Sequence, residues 1–85
     1  MSIVNVNKFS FTEKQGQYLA FIFYYTKING IPPAQTDFQR YFQTSPPTVH
    51  QMILQLEKQN LITRLPNKPR TVAIAIAEEE LPRLR

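Results

Sequence analysis

Ser45-Pro46-Pro47-Thr48-Val49-His50-Gln51-Met52-Ile53-Leu54-Gln55-Leu56-Glu57-Lys58, continuing into Gln59-Asn60-Leu61-Ile62-Thr63-Arg64-Leu65, is the stretch on which the fold turns. Serine ahead of proline marks a helix start: the hydroxyl takes an unpaired amide, and the proline sits where its missing N–H costs nothing. Val49, Met52, Ile53 and Leu56 then fall at i, i+3, i+4 and i+7, so one face is committed to a core. The opposite face carries Pro47, Gln51, Leu54 and Lys58, flanked by Thr48, His50 and Gln55. Asn60, which tolerates left-handed backbone, is the expected stop. Beyond it, residues 61–65 and 71–77 read as two β-strands, the second with Val72, Ile74 and Ile76 alternating with alanines. Pro66-Asn67-Lys68-Pro69-Arg70 joins them as a basic hairpin tip.

Working towards the N-terminus, Gln43 and Thr44 make a turn, and Thr36-Asp37-Phe38-Gln39 has the spacing of a capping box. It opens a short helix to about residue 42 with Phe38, Tyr41 and Phe42 on its buried side. Ile31-Pro32-Pro33 cannot continue a helix. Before it, Thr12-Glu13-Lys14-Gln15 repeats the capping-box spacing and starts a first helix, which runs to a left-handed stop at Asn29-Gly30. At 100° per residue Tyr18, Phe21, Ile22, Tyr25 and Ile28 form its core stripe. Leu19 and Phe23, with Tyr24 nearby, make a second apolar stripe. That stripe either serves self-association into a homodimer or is covered by the N-terminal arm within one monomer. Residues 1–11 read as an extended arm, 12–77 as the domain and 78–85 as a solvated tail. No internal repeat is visible.

Eighty-five residues hold one small domain, and 42% hydrophobic against 19% charged residues is enough to bury a core. The absence of cysteine excludes disulfides, thiolate metal sites and cysteine nucleophiles. No apolar run is long enough for a membrane span and no signal-peptide pattern opens the chain, so a cytoplasmic location is expected and a membrane partner is not. The net charge is +4, yet three of the six acids are consecutive at Glu78, Glu79 and Glu80. Without the last eight residues, eight bases face three acids, a balance that favours polyanions such as nucleic acid. His50 is the single histidine, with no second histidine or cysteine to complete a metal site, and no serine-histidine-acid set is evident. Gly16 and Gly30 are isolated and cradle no phosphate. Neither an enzyme nor a cofactor is expected.

Helix, proline-rich connector, short helix, tight turn, longer helix and two-stranded hairpin is the order of a winged helix-turn-helix, an α+β fold that is mainly α. Gly30-Ile31-Pro32-Pro33, Phe38…Tyr41-Phe42, Ser45-Pro46-x-x-Val49 and Leu56-Glu57…Leu61-Ile62 sharpen this. Together they resemble the N-terminal DNA-binding domain of LexA-type repressors over about residues 12–77. Glu78-Glu79-Glu80-Leu81-Pro82 resembles the start of the linker in those repressors. Leu56-Glu57-Lys58 with Leu61-Ile62-Thr63-Arg64 is similar, more distantly, to MarR-type regulators.

The resemblance implies a sequence-specific, repressor-like transcription regulator that binds double-stranded DNA. Its third helix would lie in the major groove, with Ser45, Pro47, Thr48, His50 and Gln51 towards the DNA and Gln55 and Lys58 near the backbone. Arg64, Lys68 and Arg70 are the expected wing contacts. The sequence also departs from that family. Asn60 replaces a glycine, the turn between the second and third helices is one residue shorter and lacks glycine, and Pro47 stands where a polar residue faces the groove. The sequence ends where the self-cleaving domain of such repressors begins, so no self-cleavage is expected of these residues. A different reading is a protein-interaction module that uses the aromatic face of the first helix, since fold does not fix function.

Overall fold

The structure, a computed structural model, describes residues 11–85. The expected arm lies outside the described residues except for Phe11, which packs against the core. Helix α1 spans Glu13–Asn29, α2 Gln35–Phe42 and α3 Pro46–Lys58; strands β1 (Ile62–Thr63) and β2 (Ala73–Ile74) follow, and a 3-10 turn covers Glu78–Glu80. The strands pair antiparallel, Ile62 opposite Ile74 and Thr63 opposite Ala73. This is the expected layout of three helices and a wing.

Local chemistry sets the helix ends. Thr12 Oγ1 accepts the Gln15 N–H (3.1 Å) while Gln15 Oε1 accepts the Thr12 N–H (2.9 Å), closing the expected capping box. Gln15 is buried, and its Nε2 donates to Gln59 Oε1 (3.1 Å), tying the start of α1 to the end of α3. Gly30 ends α1 at φ 80°. Helix α2 starts earlier than the sequence pattern suggests: Ala34 is its N-cap, and Asp37 Oδ2 accepts the Ala34 N–H (2.8 Å). Thr36 therefore lies inside the helix, because the third-position carboxylate satisfies the free amide without a hydroxyl at the cap.

Two helix stops use left-handed residues that are not glycine. Gln43 (φ 50°) follows α2 and lets the Thr44 N–H reach Gln39 O (3.1 Å); Asn60 (φ 62°) follows α3 and lets the Leu61 N–H reach Leu56 O (2.9 Å). Both are the wide closing bond of a Schellman motif. Asparagine suits this backbone, whereas glutamine bears the full Cβ penalty. Gln43→Gly is therefore expected to stabilise the domain by about 0.5–1 kcal/mol, raising the thermal midpoint by roughly 2–8 °C. A melting curve followed by circular dichroism checks this, and an unchanged or lower midpoint would contradict it.

The core gathers Tyr18, Leu19, Phe21 and Ile22 from α1, Phe38 from α2, and Val49, Ile53 and Leu56 from α3. Leu61, Ile62, Val72 and Ile76 close it from the hairpin. Tyr18 stacks on Phe42 (centroids 4.3 Å) and on Phe38 (5.4 Å), so aromatic rings join α1 to α2. Two expectations about α1 are corrected. Ile28 is not in the core stripe: it is 79% exposed, because the last turn of α1 runs past the core. Leu19 is not on a free surface: it is 0% exposed and belongs to the core cluster. In α2, Tyr41 is exposed rather than buried, while Phe38 is buried as expected.

The last eight residues do not form a solvated tail. Leu81 and Leu84 pack against the core, Gln17 Nε2 donates to Arg83 O (2.9 Å), and the Arg85 N–H donates to Gln17 Oε1 (2.8 Å). Arg85 also pairs with Glu13. Gly16 makes room for this docking: a Cβ there would lie 2.9 Å from Pro82 Cγ and 3.0 Å from Phe11 Cε1. With β2 and α2 on its other flanks, the first half of α1, from Gln15 to Ile22, is buried all round. The strands are shorter than expected, two residues each. Thr71 Oγ1 takes the Leu65 N–H (3.0 Å) and donates to Lys68 O (3.0 Å), so a side chain organises the hairpin where ladder bonds would otherwise run.

Candidate nucleic-acid interface

Helix α3 presents two chemically distinct faces. Val49, Ile53 and Leu56 are buried, and Met52 is half-buried against them. Pro47, Thr48, Gln51, Gln55 and Lys58 are exposed and line one open concavity, together with Met52, Leu54 and Gln59. Ser45 caps the helix: its Oγ accepts the Thr48 N–H (3.4 Å) and lies 2.9 Å from Thr48 Oγ1. The two hydroxyls therefore lock the first turn. His50 is exposed but lies outside that concavity. Among the described residues, the side chains of His50, Gln51, Gln55 and Lys58 make no hydrogen bond or ion pair, so their donors and acceptors all face outwards.

The three basic wing candidates are placed differently from one another. Lys68 is exposed and forms no ion pair among the described residues. Arg64 pairs with Glu57 of α3 (3.1 Å) and is partly buried. Arg70 turns inwards, its Nη1 lying 3.1 Å from Asp37 Oδ2, 3.3 Å from Pro32 O and 3.4 Å from the Tyr25 hydroxyl. The wing and the start of α2 line one cleft, which takes in Gln35, Thr36 and Lys68. From the sequence, Thr36 is read only as a helix cap and Gln35 is not singled out. Their place in the first turn of α2 was the available signal.

Asp37 is the residue that sequence reasoning undervalued. It is the single acid between Glu13 and Glu57, which marks it in a basic stretch. Its side chain is 8% exposed and also receives Arg40 Nη1 (3.2 Å). Burial pushes its carboxyl up, but the Ala34 N–H, the Arg70 charge, the Tyr25 hydroxyl and Arg40 together outweigh that and hold it below the ordinary carboxylate value. A carboxylate lowered on folding stabilises the protein above its unfolded pKa and loses that contribution as pH falls through the folded value. The parent should therefore lose thermal stability between about pH 5 and about pH 2 more steeply than Asp37→Asn. Melting curves of both across that range check it; parallel curves would contradict it.

Of the residues proposed for self-association, Leu19 is excluded by its burial. Phe23 is half-buried, edge-on to Tyr24 (centroids 5.0 Å), with the Lys27 ammonium 5.6 Å from its ring. Only Tyr24 of the three is exposed. A continuous aromatic docking face on α1 is not formed by these residues. No helix among the described residues is long and apolar enough to cross a membrane.

A short helix, a tight turn, a second helix with one buried and one free face, and an antiparallel hairpin behind it define a winged helix-turn-helix domain. No protein-family model matches the chain. It is, however, 34% identical over 70 residues to the LexA repressor of Thermosipho melanesiensis, covering 82% of this chain and 35% of that protein. The LexA repressor of Thermosipho africanus is 35% identical over 63 residues (74% of this chain, 32% of that one). That of Clostridium perfringens is 37% identical over 70 residues (81% and 34%). The chain is LexA-like and resembles the N-terminal DNA-binding domain of such repressors. It spans about a third of the length of these curated relatives.

Proposed function

We propose that the chain binds double-stranded DNA as the DNA-reading part of a transcriptional repressor, with α3 in the major groove and the wing on the phosphate backbone. The observation that carries this reading is the outward face of α3. Its buried side fixes the helix in the core, while Pro47, Thr48, Gln51, Gln55 and Lys58 stand together in solvent. The similarity to LexA repressors supports double-stranded DNA as the partner of that face. Gln51 matches both edges of an adenine, Thr48 a base edge or a thymine methyl, and Pro47 offers apolar contact only. Ser45 at the helix start, Gln55 and Lys58 suit the backbone, and His50 flanks the reading face. Lys68 is the wing cation with a free charge, so it is the phosphate contact of choice.

The test is fluorescence anisotropy of a labelled duplex titrated at low and at physiological salt. Binding should weaken steeply with salt, each phosphate neutralised adding about 0.9 to the slope. Failure to bind at low salt would overturn the reading for this chain.

A further inference from the structure

We propose that Arg70 is a positioning residue, which braces the wing against the helix-turn-helix through Asp37 and so sets where Lys68 meets the DNA backbone. The inference rests on the DNA reading above and reassigns Arg70 within it. Its side chain is 40% exposed, yet its guanidinium points inwards, and the oxygens around Nη1 come from α1 (Tyr25), the proline connector (Pro32) and α2 (Asp37). One side chain thus ties the wing to three separate segments of the domain. The backbone of Arg70 is left-handed (φ 57°), a conformation that a non-glycine residue keeps when its surroundings hold it there. The wing needs such an anchor. Its ladder is two residues long on each strand, and a short two-stranded hairpin is marginal without side-chain support. A guanidinium suits the task, being always charged and carrying several donors in a fixed plane.

Lys68 lies two residues away on the same hairpin. Any drift of the wing moves its ammonium relative to α3, so the two contacts with DNA lose their common register.

The charge of Asp37 separates a brace from a direct contact. If Arg70 touched phosphate, neutralising Asp37 would free it and strengthen binding. If Arg70 is a brace, the same change weakens binding, although it removes a negative charge beside the DNA. The experiment measures anisotropy on a duplex selected from a random pool, with a melting curve for each protein. Asp37→Asn and Arg70→Gln should each weaken binding roughly ten-fold, and the double variant should be no worse than either alone. Asparagine keeps an oxygen for the Ala34 amide, so α2 retains its cap. Lys68→Gln should lower the salt slope by about 0.9 in the parent and cost nothing further beside Arg70→Gln.

Unchanged or tighter binding by Asp37→Asn, with a loss only for Arg70→Gln, overturns the brace and makes Arg70 a direct contact. Should Asp37→Asn be unfolded at the assay temperature, additive losses from Arg70→Gln and Lys68→Gln overturn it equally. A parent that binds no duplex at any salt overturns the DNA reading and the brace together, which distinguishes that failure from the first.

Discussion

Phe38→Ala should remove about 3–5 kcal/mol of folding stability, the largest loss expected from a single change in this domain. Phe38 is 1% exposed, stacks on Tyr18 (5.4 Å) and leans on Phe21 (5.1 Å, 59°), so its ring is the fully buried member of the aromatic cluster through which α2 holds α1. Truncation deletes a buried ring and leaves a cavity between two helices whose relative position is otherwise fixed by the same aromatic cluster. Roughly 0.05–0.15 kcal/mol per residue gives a domain of this size a total of about 4–13 kcal/mol, so the loss is a large fraction of the whole. Urea unfolding followed by circular dichroism reads it directly. Ile28→Ala is the control: the same helix loses an apolar side chain that is already in water, and its stability should stay within about 0.5 kcal/mol. A small loss at Phe38, or a large one at Ile28, would mean that the core is not where the structure puts it.

The second large effect falls on binding. Gln51→Ala should cost about 1–3 kcal/mol of affinity for a preferred duplex, some five- to 150-fold, and relax base preference at one position. Gln51 is exposed and free of internal hydrogen bonds among the described residues, so folding should be unaffected. Lys68→Ala, in contrast, should weaken all sequences alike, because a phosphate carries no sequence information. Selection from a randomised duplex pool with each variant separates the two. If Gln51→Ala selects the same site with the same affinity, α3 does not read bases through that residue.

Most of the architecture is legible in the residues alone. The order of elements, the capping box of Thr12 and Gln15, the Ser45-Pro46 start and the Asn60 stop were all read from the residues. The outward face of α3 followed from the periodicity of its core positions. Less of the wing could be read. Arg64, Lys68 and Arg70 are equivalent as basic residues in a turn, and spacing along a hairpin cannot say which cation finds an acid. Arg64 meets Glu57, Arg70 meets Asp37, and Lys68 is left outward.

The sequence by itself determined the boundaries of α1 and α3 and the sidedness of α3, because caps, left-handed stops and apolar periodicity act between residues within about seven positions of each other. Tertiary structure alone decided the places of Leu19 and Ile28 on α1. Periodicity grants a helix one buried stripe, but α1 is flanked by α2, β2 and the docked C-terminal residues, so Leu19 is enclosed while Ile28, on the stripe, overshoots the core. Tertiary structure likewise decided the fate of the last eight residues and of Arg70. Gln17 meets Arg83 across 66 positions of sequence, and Arg70 meets Tyr25 across 45. Contacts of that span depend on where whole elements come to rest, which no local pattern encodes.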